Sequence, residues 1–312
     1  MLFNSCKNNS PSGPAKIIRI GFFPNITHAP GLIGFNETNT KQLEGWFEKR
    51  LGMKVEWFSY NAGPSAIEAL LAGSVDVTYV GPNPVLNGYS ITKGADIRVI
   101  AGAARGGAGL VIQKGSGLTT AASFKGKKIA TPQYGGTQDV SARSWFKAAG
   151  LDIKINSSDI FIIPTANPDQ LDQFKRKELD AVWTVEPWIS RLEMEADAQL
   201  LVEQKNELST VVVTSVKFLE SNRELLQKFV TANEELSKKI TSDKEFAKSA
   251  VLAALAKATS RALPENLFEK AWPRITFTTE IKPDDFKNFQ KDAKSVGLLK
   301  DEVNLDKLIV KP

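Results

Sequence analysis

His28 is the chain's one histidine and Cys6 its one cysteine. A metal site built from several histidines is therefore excluded, as are a cysteine–histidine zinc cluster and an intrachain disulfide. Neither a nucleophile nor a carboxylate stands at a spacing that would make His28 a catalytic base. No catalytic set, metal or cofactor is expected. What the chain offers instead is neutral donors beside glycine. Gly135-Gly136-Thr137-Gln138 follows the apolar pair Ile129-Ala130 and the turn Thr131-Pro132-Gln133-Tyr134. The two glycines allow a sharp bend and remove side chains from the approach. Val140, Trp145, Phe146 and Ala149 then recur at helical spacing until Gly150. The reading is strand, glycine loop, helix. A helix start carries unpaired N–H groups and the positive end of a dipole, so this is a small-anion site in outline. Thr137 and Gln138 either donate to that anion or cap the helix.

Other stretches offer similar groups. Asn25, Thr27 and His28 follow the strand-like Lys16–Phe23 and precede a helix with Pro30 in its first turn. Gly81, Pro82 and Asn83 close another apolar run, Gly107 and Ala108 sit in the glycine-rich Arg105–Gly109, and Glu186 and Trp188 flank Pro187. Arg105 is either a clamp for an anion or a solvated loop residue. Trp188 either walls a pocket or belongs to the core. Glu186 either points into the site, where it repels an anion and favours an amine, or lies at the surface.

The elements that must position these groups alternate along the chain. Strands are expected at 16–23, 55–60, 75–80, 97–104, 110–113, 160–163, 179–185, 200–202 and 211–214, with helices between most of them, including one over Thr38–Met53 closed by Gly52. From Val216 onward the pattern is mostly helical. This alternation predicts an α/β protein with mostly parallel sheets. At 312 residues there is room for two domains, and a net charge of +5 with interleaved signs reads as ordinary solubility, not nucleic-acid binding. No apolar run approaches a membrane span. A weak internal repeat supports two lobes. Ala69–Pro82 is echoed by Gln173–Pro187: helix, turn, aspartate (Asp76, Asp180), apolar strand, proline loop. Ile20–Leu32 likewise parallels Ile129–Val140. Ligands in open α/β sheets bind beyond strand carboxyl ends, at helix starts.

In order, Ile20–Leu32 (IGFFPNITHAPGL), Ala69–Pro84 (ALLAGSVDVTYVGPNP), Gly106–Val111 (GGAGLV), Phe124–Thr137 (FKGKKIATPQYGGT) and Leu179–Trp188 (LDAVWTVEPW) resemble substrate-binding proteins of ABC importers for aliphatic sulfonates, nitrate and taurine. The similarity runs from about residue 16 to 230. It implies a two-lobed, type II periplasmic binding fold with two hinge crossings, near Arg105 and Val212. Residues 1–15 would be a flexible tether, 16–105 plus 212–312 one lobe, and 106–211 the other. It also implies a monomer that takes a small solute by hinge closure and delivers it to a membrane permease with its ATPase. A sulfonate's three oxygens suit backbone N–H, Thr, Asn and Gln donors, which lose less hydration on burial than lysine. If Glu186 faces the cleft, the solute would be zwitterionic, like taurine, or an uncharged heterocycle.

Leu2-Phe3-Asn4-Ser5-Cys6 before a Pro-, Gly- and Ser-rich tail resembles a lipoprotein cleavage box without its apolar signal segment. Cys6 is thus either a lipid anchor in the cell envelope or a free thiol. Two other functions share the fold: an enzyme of the thiamine-pyrimidine-precursor or menaquinone-pathway type, and a cytoplasmic ligand-sensing domain. The missing acid–base set weighs against the first. The absence of a helix-turn-helix pattern before Lys16 weighs against the second.

Overall fold

Alternating apolar runs fold into strands that gather as two sheets. The structure, a computed structural model, describes residues 17–38, 43–154 and 159–312; Cys6 and the expected tether lie outside them. The strands are β1 (Ile17–Phe22), β2 (Lys54–Ser59), β3 (Val77–Val80), β4 (Ile97–Gly106), β5 (Ala108–Gln113) and β6 (Lys127–Thr131). They continue with β7 (Ile160–Pro164), β8 (Ala181–Val185), β9 (Ala198–Gln204), β10 (Leu208–Ser215) and β11 (Ile275–Phe277). Among the described residues, one sheet runs β11-β4-β10-β3-β1-β2 and the other β7-β6-β8-β5-β9.

The internal repeat is physical. Both sheets carry the same core order, an edge strand beside the first strand of the unit, then the strand that follows the aspartate, then two antiparallel neighbours. The aspartates play one role. Asp76 Oδ2 accepts the Arg19 N–H at 2.9 Å, and Asp180 Oδ2 accepts the Lys128 N–H at 2.9 Å. In return, Asp76 N–H donates to Arg19 O and Asp180 N–H to Lys128 O. Each aspartate thereby pins the register of β3 on β1, or of β8 on β6, at the sheet's entry.

The sheets are mixed. Parallel pairing holds for β1 with β2 and β3, and for β6 with β7 and β8. β10 runs antiparallel to β3 and β4, β11 to β4, and β5 to β8 and β9. The reason is connectivity: β4 leads into β5, and β9 into β10, with no intervening helix to return the chain. These two joints carry the chain between sheets, at Gly106-Gly107 and at 205–207. The second lies ahead of Val212, because Leu208–Ser215 already pairs with β3 and β4. Gly106 (φ 73°) and Gly107 (φ 66°) both adopt the left-handed backbone that favours glycine.

Helices cover the sheets through aromatic contacts. Phe47 stacks on Phe229 at 5.2 Å over the first sheet, and Phe124, Phe146 and Trp145 form a cluster with Trp183 over the second. Burying each such ring contributes roughly 1.5–3 kcal/mol. Of the helix expected over Thr38–Met53, residues 39–42 lie outside the described residues; the described part is helical over Trp46–Leu51, with Gly45 as its N-cap and Gly52 (φ 68°) ending it as expected. The helices Gly63–Leu71 and Asn167–Lys175 carry Pro64 and Pro168 in their first turns, where proline's fixed φ and missing N–H fit. Among the described residues no helix is long and apolar enough to cross a membrane.

Candidate functional site

Among the described residues, five helix starts converge on one cavity of about 30 Å³ between the two sheets. Those of Ala29–Glu37, Gly63–Leu71 and Pro82–Ile91 come from the first sheet, and those of Thr137–Ala148 and Asn167–Lys175 from the second. The lining residues His28, Gly63, Gly81, Thr137 and Asn167 are each the cap or the first residue of one of these helices. No Asp, Glu, Lys or Arg lines the cavity among the described residues. Positive helix ends without a countercharge make an anion the fitting occupant.

On the first-sheet side, Phe23 N–H donates to His28 Nδ1 at 3.4 Å, and the imidazole stacks on Phe23 at 4.3 Å. Burial pushes the His28 pKa down to about 3, so the ring is neutral. That hydrogen bond assigns the proton to Nε2, which leaves His28, a lining residue, with a donor nitrogen. Asn25 precedes the 3-10 turn Ile26–His28, but its side chain makes no capping bond. Its Oδ1 instead accepts the Trp188 indole N–H at 3.1 Å, leaving the amide NH₂ as a donor. Thr27 is buried beside Gly107.

On the second-sheet side a buried aspartate organises the glycine loop. Asp139 Oδ2 accepts the Gly135 N–H at 3.0 Å and Arg143 Nε–H at 2.9 Å, while Oδ1 accepts the Thr131 hydroxyl at 3.1 Å. The ion pair with Arg143 keeps the aspartate's charge balanced behind the loop. Thr137 does not cap the helix: Gly136 is the cap residue. The Thr137 hydroxyl oxygen accepts the Asn83 N–H at 3.3 Å, across the gap between the sheets. A Cβ on Gly81 would lie 2.4 Å from that oxygen, so this approach requires glycine. Two buried acceptors on the lining, Ser209 Oγ and Gln133 Oε1, have no hydrogen-bond partner. Unsatisfied buried polar atoms are costly, and a bound solute would relieve the hydroxyl.

Thus Asn25, Thr27, His28, Gly81, Gly136, Thr137 and Gln138 meet at the cavity. Pro82, Asn83 and Gly135 do not line it, and Gly107 and Ala108 sit at the joint between sheets. Glu186 does not face the cavity. Its carboxylate accepts Arg274 Nη1–H at 2.7 Å, Ser190 Oγ–H at 3.0 Å and Ser190 N–H at 3.1 Å. Burial pushes its pKa up, opposed by the Arg274 guanidinium. The carboxylate thus neither points into the cavity nor lies at the surface, being buried against Arg274 and Ser190, and the Glu186 backbone O accepts the Ile26 N–H at 3.0 Å. Arg105 is not a clamp: it holds Asp285 through two bonds of 2.9 and 2.5 Å. Trp188 is buried and lies under the Arg191 guanidinium, 4.6 Å from its ring centre.

Asn61, Gly63, Gln133, Asn167 and Ser209 also line the cavity but were not candidates from sequence. Asn61-Ala62-Gly63-Pro64 and Asn167-Pro168 repeat the turn-before-helix pattern of Gly135–Gln138, which is the signal that could have found them. Ser209 carries no such signal, being an extended residue of β10. A second pocket of about 200 Å³ adjoins the first and shares Asn25, Asn61 and Asn167 with it. Among the described residues no group of three His, Cys, Asp or Glu side chains gathers as a metal site would.

Comparison with known proteins bears on the family and the fold. The model of the NMT1-like family matches residues 12–256. A Bacillus subtilis (strain 168) protein named for aliphatic sulfonate binding is 29% identical over 211 residues, covering 64% of this chain; the chain spans 58% of that protein's length. Among solved structures, the alkanesulfonate-binding protein SsuA from Xanthomonas axonopodis pv. citri, bound to MOPS, superposes with a TM-score of 0.78 at 20% identity, covering 96% of this chain and all of the other. The periplasmic nitrate-binding protein NrtA from Synechocystis PCC 6803 reaches a TM-score of 0.77 at 15% identity, covering 95% and 86%. At such identities these likenesses establish the periplasmic binding protein fold.

Proposed function

The chain belongs to the NMT1-like family, and from that premise we propose that it is the extracytoplasmic solute-binding component of an ABC importer that captures a small sulfonate-like anion. The observation that carries this reading is the convergence of five helix starts on a cavity without charged side chains. Such a site stabilises three oxygens by N–H, amide and hydroxyl donors and still permits release, since no cationic side chain has to be unpaired. The two sheets are the cores of two lobes, joined at Gly106-Gly107 and 205–207. The left-handed glycine pair is the hinge, and closure brings Thr137 against Gly81 and Asn25 against Trp188. Each lobe supplies part of the donor set, so ligand binding favours the closed form. A permease and its ATPase would receive the solute. A lipid anchor at Cys6 would hold the protein at the cell envelope.

Binding, not turnover, is the role that fits. His28 Nδ1 already accepts the Phe23 N–H, so the ring reaches the cavity as a donor and not as a base. The test is calorimetric titration with ethanesulfonate, taurine and nitrate. A sulfonate is expected to bind, and Thr137→Ala to weaken it by one to two decades, because a hydrogen bond to a charged group is worth roughly 1.5–3 kcal/mol. Parent-like binding by Thr137→Ala would remove the cleft assignment. Failure of every sulfonate to bind would remove the function.

A further inference from the structure

Resting on that reading, we infer that the solute is an organic anion with an apolar body about the size of an aromatic ring and no ammonium group, its head in the inner cavity and its body in the adjoining pocket. The inner cavity is the smaller, about 30 Å³, and its neighbour offers about 200 Å³. Asn25, Asn61 and Asn167 border both, so the two are neighbours, and the inferred solute reaches from one into the other. The outer walls are rigid and apolar. Pro24 and Leu263 come from the first sheet's side, and Pro168, Pro187 and Trp188 from the second's. They clamp a flat body from both sides as the lobes close. Burial of that apolar surface adds affinity that nitrate and taurine cannot recover.

Charge at the rim decides what the far end carries. Arg191 and Arg261 line the outer pocket. Glu195 answers them, at 2.7 Å from Arg191 and 3.5 Å from Arg261, but it is also held by Lys175 at 2.9 Å. Three cations thus share one carboxylate, and Arg261 is the most loosely held and most exposed of them. An ammonium placed here meets net positive charge, and the carboxylate that would have welcomed it, Glu186, is committed to Arg274. A neutral or acidic far end fits.

The experiment compares ethanesulfonate, taurine, benzenesulfonate and 4-sulfobenzoate by calorimetric titration of the full chain. Benzenesulfonate should bind at least about tenfold tighter than ethanesulfonate, and taurine more weakly than ethanesulfonate. Leu263→Ser should abolish the advantage of benzenesulfonate over ethanesulfonate. Arg261→Glu should weaken 4-sulfobenzoate selectively. If ethanesulfonate binds in a Thr137-dependent manner but benzenesulfonate gains nothing, or taurine binds best, this inference falls and the proposed function stands. If no sulfonate binds, both fall.

Discussion

The two strand–turn–helix units that face each other across the cavity, Phe22–Ala29 and Thr131–Val140, do the same work by opposite means. Each ends a strand, turns, and aims a helix start at the same space. The first turn is held by a neutral ring: His28 accepts a backbone N–H and stacks on Phe23. The second is held by a buried ion pair, with Asp139 gripping Gly135, Thr131 and Arg143 at once. Neither device places net charge on the cavity. The difference teaches that the site's neutrality is maintained twice, once by keeping a histidine unprotonated and once by balancing a carboxylate behind the loop. The two units should therefore fail under different insults.

The largest effect should come from the charged unit. Asp139→Ala strands Arg143 in a buried position, and breaking such a pair costs about 3–5 kcal/mol. Urea unfolding should record a loss of that size; a loss below about 1 kcal/mol would mean that the loop does not depend on the pair. The neutral unit should fail in acid. The His28 pKa is depressed from 6.5 to about 3, so between those values the unfolded chain binds a proton that the folded chain refuses. Stability therefore rises with pH across this window, is fully present above about 6.5, and falls by about 1.4 kcal/mol for each pH unit below it. His28→Asn should remove this slope between pH 6 and 4 while leaving other acid transitions in place. An unchanged slope would assign it elsewhere. The smallest effect is expected where the second unit meets the turn after β3. Gly81→Ala puts a Cβ 2.4 Å from the Thr137 hydroxyl oxygen, and overpacking of this kind costs about 1–3 kcal/mol. Under the proposed closure the clash belongs to the closed form, so it should appear as a loss of ligand affinity of about one to two decades, with little change in thermal stability of the free protein. Parent-like affinity would show that closure does not bring Gly81 onto Thr137.

Much of this was legible in the residues. The repeated aspartates Asp76 and Asp180 marked two equivalent units, and the structure gives them identical backbone partners. Glycine, proline and asparagine before helical periodicity located the turns that line the cavity. Side-chain direction was not legible. Glu186 looked available for an amine because its partner Arg274 is 88 residues away, and Arg105 looked available for an anion because Asp285 is 180 residues away. Strand direction was equally hidden, since apolar alternation is the same whichever way a strand runs.

The sequence by itself therefore determined the kinds of element, their order, the twofold repeat and the neutral chemistry of the turns, because backbone conformation and hydrophobic period are local properties. Only the tertiary structure decided which turns share one cavity, that Ser209 and Asn167 join them, and that each nearby carboxylate is already answered by a cation. Those outcomes depend on contacts between residues far apart in the chain, formed when two mixed sheets are joined at Gly106-Gly107 and 205–207, and no local pattern encodes a partner's position.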